Sequence, residues 1–143
     1  MVTPFDREIK RRIVEAICKA EHKTSGEIRV HVQPKCKNDP MKEAQKIFHR
    51  LRMHRAKNRN GVLIFVAWKS RQFAIVGDKG IHQNVGDSFW NQTRDAMNRH
   101  FAQNDIAGGI VAGVQSVGEK LKAHYPAHTG DKNELLNTVS EEP

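Results

Sequence analysis

A change of hydrophobic period between residues 26 and 67 constrains the fold of this chain more than any other feature. After Gly26, the apolar residues Ile28, Val30 and Val32 alternate with polar ones, as in a strand with one face in solvent. A helical segment follows, and the continuous apolar run 62–67 then predicts a strand covered on both faces. Two strands joined through a helix pair in parallel with a right-handed crossover. We therefore expect a β-α-β unit at the centre of an α/β domain.

Helical patterns flank this unit on both sides. The first helix is expected to begin at Thr3-Pro4, because threonine caps helices and proline fits the first helical position; its apolar face comprises Phe5, Ile9, Ile13, Ala16, Ile17 and Ala20. A second helix is predicted from Asn38-Asp39-Pro40, a third after Gly86-Asp87 and a fourth near Asp105. In the fourth, Gly109 and Gly113 indicate close backbone packing.

A third strand is predicted at residues 72–76, after the short polar turn Lys69-Ser70-Arg71. So short a link makes it antiparallel to the second strand. The predicted fold class is therefore α/β: a three-layer α/β/α sandwich with a small mixed sheet, flanked by helices.

Length and composition support one domain of a cytoplasmic protein. The 143 residues suit a single domain at 1–126, followed by a polar, flexible tail at 127–143 with at most a turn at Glu134-Leu135-Leu136. No signal-peptide pattern or apolar run of membrane-span length occurs, so we expect no membrane span. Cys18 and Cys36 form neither a disulfide framework nor a zinc motif, and the eight histidines show no zinc spacing.

Acidic and amide side chains gather at one edge of the predicted sheet. The starts of the two parallel strands and the end of the third strand meet there, which brings together Glu27, Asn60, Asp78 and Asp87. Carboxylate and amide oxygens suit calcium or magnesium, and the glycines beside Asp78 free backbone carbonyls to turn towards an ion. The sequence thus predicts a divalent-cation site. The alternative is that Gly77 and Gly80 only form a turn and Asp87 only caps a helix.

Several sequence blocks, in order, resemble the TPM domain family over roughly residues 5–126. They are Thr24-Ser25-Gly26-Glu27-Ile28, Arg59-Asn60-Gly61-Val62-Leu63-Ile64, Val76-Gly77-Asp78-Lys79-Gly80-Ile81-His82 and Gly108-Gly109-Ile110. The resemblance implies an α/β/α sandwich, binding of calcium or magnesium, and phosphatase activity. It carries over most clearly to Asp78 and less clearly to Asp87. Many relatives carry a signal or a transmembrane helix, and we expect neither here.

Two rival functions remain open. A metal-dependent phosphatase would use the same acidic cluster, with Arg59 and Lys79 stabilising phosphoryl charge. The formal charge of +8 and the basic residues Lys35, Lys37, Lys69 and Arg71 beside Trp68, at the opposite sheet edge, suit a module for nucleic acid or another anionic partner. No nucleic-acid motif is present, so this partner is less favoured than a metal ion. Binding of an unidentified protein partner is a further alternative.

Overall fold

A mixed β-sheet forms the middle layer of the computed structural model, which describes residues 4–55, 59–81, 87–127 and 139–142. Within these ranges the strand order is β3-β2-β1-β4. Strand β1 pairs in parallel with both β2 and β4, and β2 pairs antiparallel with β3. The strands are β1 (Glu27–Gln33), β2 (Gly61–Ala67), β3 (Gln72–Gly77) and β4 (Val139–Glu141).

Helices cover both faces of this sheet, as the sequence predicts. They are α1 (Arg7–Glu21), α2 (Pro40–Arg50), α3 (Asn91–Phe101) and α4 (Ile106–His124), with 3-10 turns at Met53–Arg55 and Asp87–Trp90. Helices α1, α3 and α4 pack with Ile28, Val30, Val62 and Ile64 in the larger core. Helix α2 packs on the other face with Leu63 and Phe65 in the smaller core. The α/β/α sandwich is confirmed.

Two of the predicted helix starts rest on local capping chemistry that the structure confirms. Asp39 caps α2, accepting a hydrogen bond from Met41 N–H at 3.3 Å, and Pro40 is its first residue. Asp105 caps α4 through Gly108 N–H at 3.0 Å. The start of α1 differs from the prediction: Asp6 is the cap, accepting from Ile9 N–H at 2.9 Å. Aspartate at this position satisfies the first free N–H groups, and Thr3 lies outside the described residues.

Close packing at the glycines of α4 is also confirmed. A Cβ atom on Gly109 would lie 2.3 Å from the Phe101 ring, and one on Gly113 would lie 2.7 Å from Met97 Sδ. Helix α3 therefore seats Phe101 and Met97 directly on the backbone of α4. Only glycine leaves room for this contact.

Two expectations about exposure are corrected. The alternate face of β1 is not wet: Arg29, His31 and Gln33 are all buried, because the α2 layer and β4 cover it. The segment 127–143 is not wholly a flexible tail, since Val139–Glu141 adds a strand to the sheet. The strand could not be predicted from the polar composition of this segment, because it is held mainly by backbone pairing. The turn expected at Glu134-Leu135-Leu136 lies outside the described residues.

Candidate functional site

Three loops meet at the sheet edge where β1 and β2 begin and β3 ends. Asp78 N–H donates to Gly61 C=O, and Gly80 N–H donates to Arg59 C=O, each at 2.9 Å. On the other side of β2, a Cβ atom on Gly26 would lie 3.3 Å from the Asn60 carbonyl oxygen. The backbone thus joins the loops that carry Glu27, Asn60 and Asp78.

The end of α4 closes the same edge, which sequence reasoning missed. Tyr125 Oη donates to Gly80 C=O at 2.6 Å, and Tyr125 C=O accepts from Ser25 N–H at 2.9 Å. Thr24 forms an isolated bridge with Pro126. The one available signal was that the single tyrosine of the chain directly precedes Pro126, where the helix has to end.

The Asp78 carboxylate is held by an ion pair and by a backbone N–H group. It is 4% exposed and receives two hydrogen bonds from Arg59, Nε to Oδ2 and Nη2 to Oδ1, both 2.8 Å long. Lys79 N–H adds a third bond to Oδ1 at 2.7 Å. The hydrogen bond to Asp78 raises the pKa of the Arg59 guanidinium, whose side chain is 43% exposed. A buried anion is therefore neutralised by a cation that reaches it from the surface.

Glu27 lies one strand further from this ion pair. It is buried and sits opposite Gly61 in the β1–β2 register, whereas Asp78 follows β3 on the far side of β2. Since neighbouring strands are about 4.8 Å apart, the two backbones are separated by roughly 10 Å. Gly61 lies between the two backbones, and the side chains of Phe48 and Met53 pack over it. Glu27 and Asp78 therefore share an edge but are not adjacent.

Asn60 is a predicted site residue with unused hydrogen-bonding capacity. Its side chain is fully buried, and neither amide atom has a hydrogen-bond partner in the part of the chain that the structure describes. Leaving a buried polar group unsatisfied costs about 1–3 kcal/mol. The side chain of Asp87 lies outside the described residues. Over residues 4–55, 59–81, 87–127 and 139–142, no group of three or more His, Cys, Asp or Glu side chains is placed to hold a metal ion.

A basic groove of about 710 Å³ opens beside Asp78, between β3 and the exposed face of α2. Helix α2 contributes Lys42, Lys46 and His49, and the loop edge contributes Arg59 and Lys79. Because Arg59 neutralises Asp78, the remaining lysines leave the groove positively charged. The charge of α2 can be counted from the sequence, but the direction in which its lysines face cannot, so this groove was not predicted.

The opposite edge carries the basic residues that suggested an anion-binding module. Lys69 Nζ lies 5.3 Å from the centre of the Trp68 ring, and Arg71 donates to Asn104 Oδ1 at 3.2 Å. A cavity of about 180 Å³ is lined there by Trp68, Phe73 and Phe101 among others. Aromatic and aliphatic side chains line much of this cavity, so it differs in character from the basic groove beside Asp78.

Comparison with known proteins identifies the family. The model of the TPM domain matches residues 4–120. The BA42 protein of the psychrophilic bacterium Bizionia argentinensis is 40% identical, with a TM-score of 0.93 over 99% of this chain and 98% of that chain.

More distant structures share the fold. An N-terminal domain from Corynebacterium glutamicum is 18% identical, with a TM-score of 0.65 over 97% of this chain and 82% of that one. An N-terminal domain from P. gingivalis is 19% identical, with a TM-score of 0.70 over 86% and 81%. No curated protein matches the chain. Among the helices that the structure describes, none is both long and apolar enough to cross a membrane. By its match to the family model and its likeness to BA42, the chain belongs to the TPM domain family.

Proposed function

We propose that this TPM domain binds a divalent cation, calcium or magnesium, at the loop edge around Asp78 and Asn60. The observation that carries the proposal is Asn60, whose buried amide has no hydrogen-bond partner among the described residues and which directly follows Arg59, the partner of the buried Asp78 carboxylate. Amide and carboxylate oxygens are the ligands that these hard cations prefer, and they accept backbone carbonyls and water to complete the shell. Asp87 and Glu27 are further candidate ligands, because the order and direction of the strands place both residues at the same edge of the sheet.

The Arg59–Asp78 ion pair fits this proposal as a built-in counter-ion. The guanidinium holds the carboxylate in one orientation, and its exposed side chain is free to swing into solvent when a metal ion arrives. When a cation binds, it replaces the Arg59 guanidinium beside Asp78, so the carboxylate keeps a positively charged partner. The exchange weakens affinity, because the ion has to displace a two-bond contact.

This competition gives a test that distinguishes a cation site from a structural ion pair. In an amide-resolved NMR titration with CaCl₂ and with MgCl₂, we expect shifts at residues 24–27, 60–61 and 77–81 of the wild type. Asp78→Asn should abolish them, while Arg59→Gln should tighten binding by about tenfold, because the competing guanidinium is gone. Arg71→Gln, which removes a cation at the opposite edge, should change little. Unchanged or weaker binding in Arg59→Gln would reject the exchange, and no shifts in any variant would reject the site.

Metal-dependent phosphatase activity is a second candidate, supported by the basic groove beside the same carboxylate. Lys42, Lys46 and Lys79 are placed around a volume that accommodates a small phosphoester. Positive side chains stabilise the charge of a transferring phosphoryl group, and a cation at Asp78 would supply an activated water. The check is Mg²⁺-dependent hydrolysis of p-nitrophenyl phosphate by the wild type, lost in Asp78→Asn and reduced in Lys42→Ala/Lys46→Ala. An inert wild-type sample would leave cation binding as the only proposed function.

A further inference from the structure

The outer edge of β1 is covered by two separate parts of the chain. Near its start, Ile28 N–H donates to Glu21 Oε2 at 2.8 Å, so a side chain from the end of α1 satisfies the edge. Further along, β4 pairs only with Val30–Val32. An open strand edge recruits other strands because its N–H and C=O groups lack partners. The Val30–Val32 part of this edge is therefore a strand-accepting surface that β4 occupies.

The first two residues of β4 are recognised by shape and by one specific hydrogen bond. Val139 is half-buried and packs against the larger core. Ser140 Oγ lies 2.9 Å from Nδ1 of the buried His31, whose Nε2 lies 3.0 Å from Gln33 Oε1. Since the Gln33 oxygen can only accept, Nε2 carries the proton and Nδ1 accepts from the serine hydroxyl. The edge thus selects an apolar residue followed by a hydroxyl.

The next two residues are recognised by charge. Glu141 pairs with Lys10 of α1 at 2.6 Å, and Glu142 pairs with Arg50 of α2. Glu142 N–H also donates to Val32 C=O at 3.0 Å, which continues the backbone pairing. One cation comes from each helical layer, so the two acidic side chains are held from both faces of the sheet.

Strand β4 is held only weakly by these contacts. It has three residues, and both ion pairs are partly exposed to solvent, where such pairs stabilise little. Short elements with few buried apolar contacts open at low cost. The family model matches residues 4–120, so β4 lies outside the matched domain. The strand can therefore leave at the cost of its short backbone pairing, the Ser140–His31 hydrogen bond, the half-buried Val139 contact with the larger core and the two ion pairs.

We propose that Val30–Val32 of β1, together with Lys10, His31 and Arg50, is a docking site for an acidic, extended segment of another protein. The segment adds as a parallel strand and presents an apolar residue, a serine or threonine, and two acidic residues in order. Strand addition provides backbone hydrogen bonds, and the side-chain contacts provide selectivity. Strand β4 occupies the site in the free chain and competes with the partner.

The direct test is to weaken the resident strand in the full-length chain and supply the same sequence as a peptide. Because Glu142 N–H bonds to β1, the alternation of a parallel ladder directs Ser140 N–H to β1 as well. Ser140→Pro removes that donor, and Ser140→Ala is the matched control that keeps it. The probe is a peptide with the sequence of residues 137–143. We expect it to shift the amides of Val30–Val32 and to bind Ser140→Pro about tenfold more tightly than the wild type.

A charge reversal tests selectivity without a proline. In the full-length Lys10→Glu/Arg50→Glu variant, the acidic peptide should lose binding, and a peptide with lysine in place of both glutamates should gain it. Equal binding of both peptides to the wild type and to the reversed variant would overturn the proposal, as would absence of binding to every variant. Light scattering should show a monomer at all concentrations. A dimer lost in Ser140→Pro would assign the edge to a second copy of the chain and overturn the proposed partner.

Discussion

At the scale of single residues, the buried His31 makes the stability of the folded protein depend on pH. Burial is the main cause that lowers the pKa of His31, and the nearby Arg50 and Arg29 lower it further, against raising contributions from the Gln33 hydrogen bond and Glu43. The ring is fully buried and is stacked on Phe65 with centroids 6.0 Å apart, so bulk solvent does not reach it. The folded protein therefore prefers the neutral imidazole, while the unfolded chain takes up a proton near the ordinary pKa of about 6.5.

The sign of the resulting pH dependence follows directly. Stability contributed by neutral His31 is complete above about pH 6.5 and falls as the pH drops towards the lowered folded-state pKa. We expect the urea midpoint of the wild type to decrease between pH 7 and pH 5, and this decrease to be smaller in His31→Gln. His22→Asn, which removes an exposed histidine at the end of α1, should keep the wild-type slope. Parallel slopes in His31→Gln and the wild type would contradict this role.

At the scale of elements, the cap of α4 is a measurable source of stability. Asp105 accepts from Gly108 N–H at 3.0 Å and from His100 Nδ1 at 3.0 Å, and the bond to His100, followed by the bond to Gly108, lowers its pKa. Replacing a capping aspartate by alanine costs about 0.5–2 kcal/mol. Asp105→Asn keeps the cap oxygen and should lose less. Because the pKa is lowered, the stability difference between the wild type and Asp105→Ala, measured in urea, should be present above about pH 4 and shrink below it. Equal losses in both variants would assign the effect to charge alone.

The elements that could be predicted from the sequence are those with local signals. The helix starts at Asp39-Pro40 and at Asp105 could be predicted because a cap and its N–H partner lie within three residues of each other. The third strand, β3, could be predicted because only a short polar turn separates it from β2. Strand β4 has no such signal, because its three residues pair with β1 from far along the chain and its composition is polar. The cap at Asp6 was missed because Thr3-Pro4 offered a second plausible start nearby.

At the scale of the whole molecule, topology explains how much of the candidate site could be foreseen. The convergence of Glu27, Asn60 and Asp78 follows from strand order and direction alone. The Arg59–Asp78 ion pair and the lysine groove do not, because they depend on where a loop side chain turns and how α2 rotates against β3. A sequence assigns charges to segments, but the rotation of a helix about its axis is set by packing in the core.

The two cores on opposite faces of the sheet should unfold as one unit. Leu63 and Ile64 are adjacent on β2 and both fully buried, but Leu63 belongs to the smaller core under α2 and Ile64 to the larger core under α1 and α4. Truncating either to alanine removes similar apolar volume and should cost about 2–5 kcal/mol. Because β2 is shared, both variants should unfold in a single transition by far-UV circular dichroism and Trp fluorescence, with the exposed Lys37→Ala close to wild type. If Leu63→Ala instead split the transition, the α2 layer would be a separately unfolding unit, and the groove beside Asp78 would open without loss of the larger core.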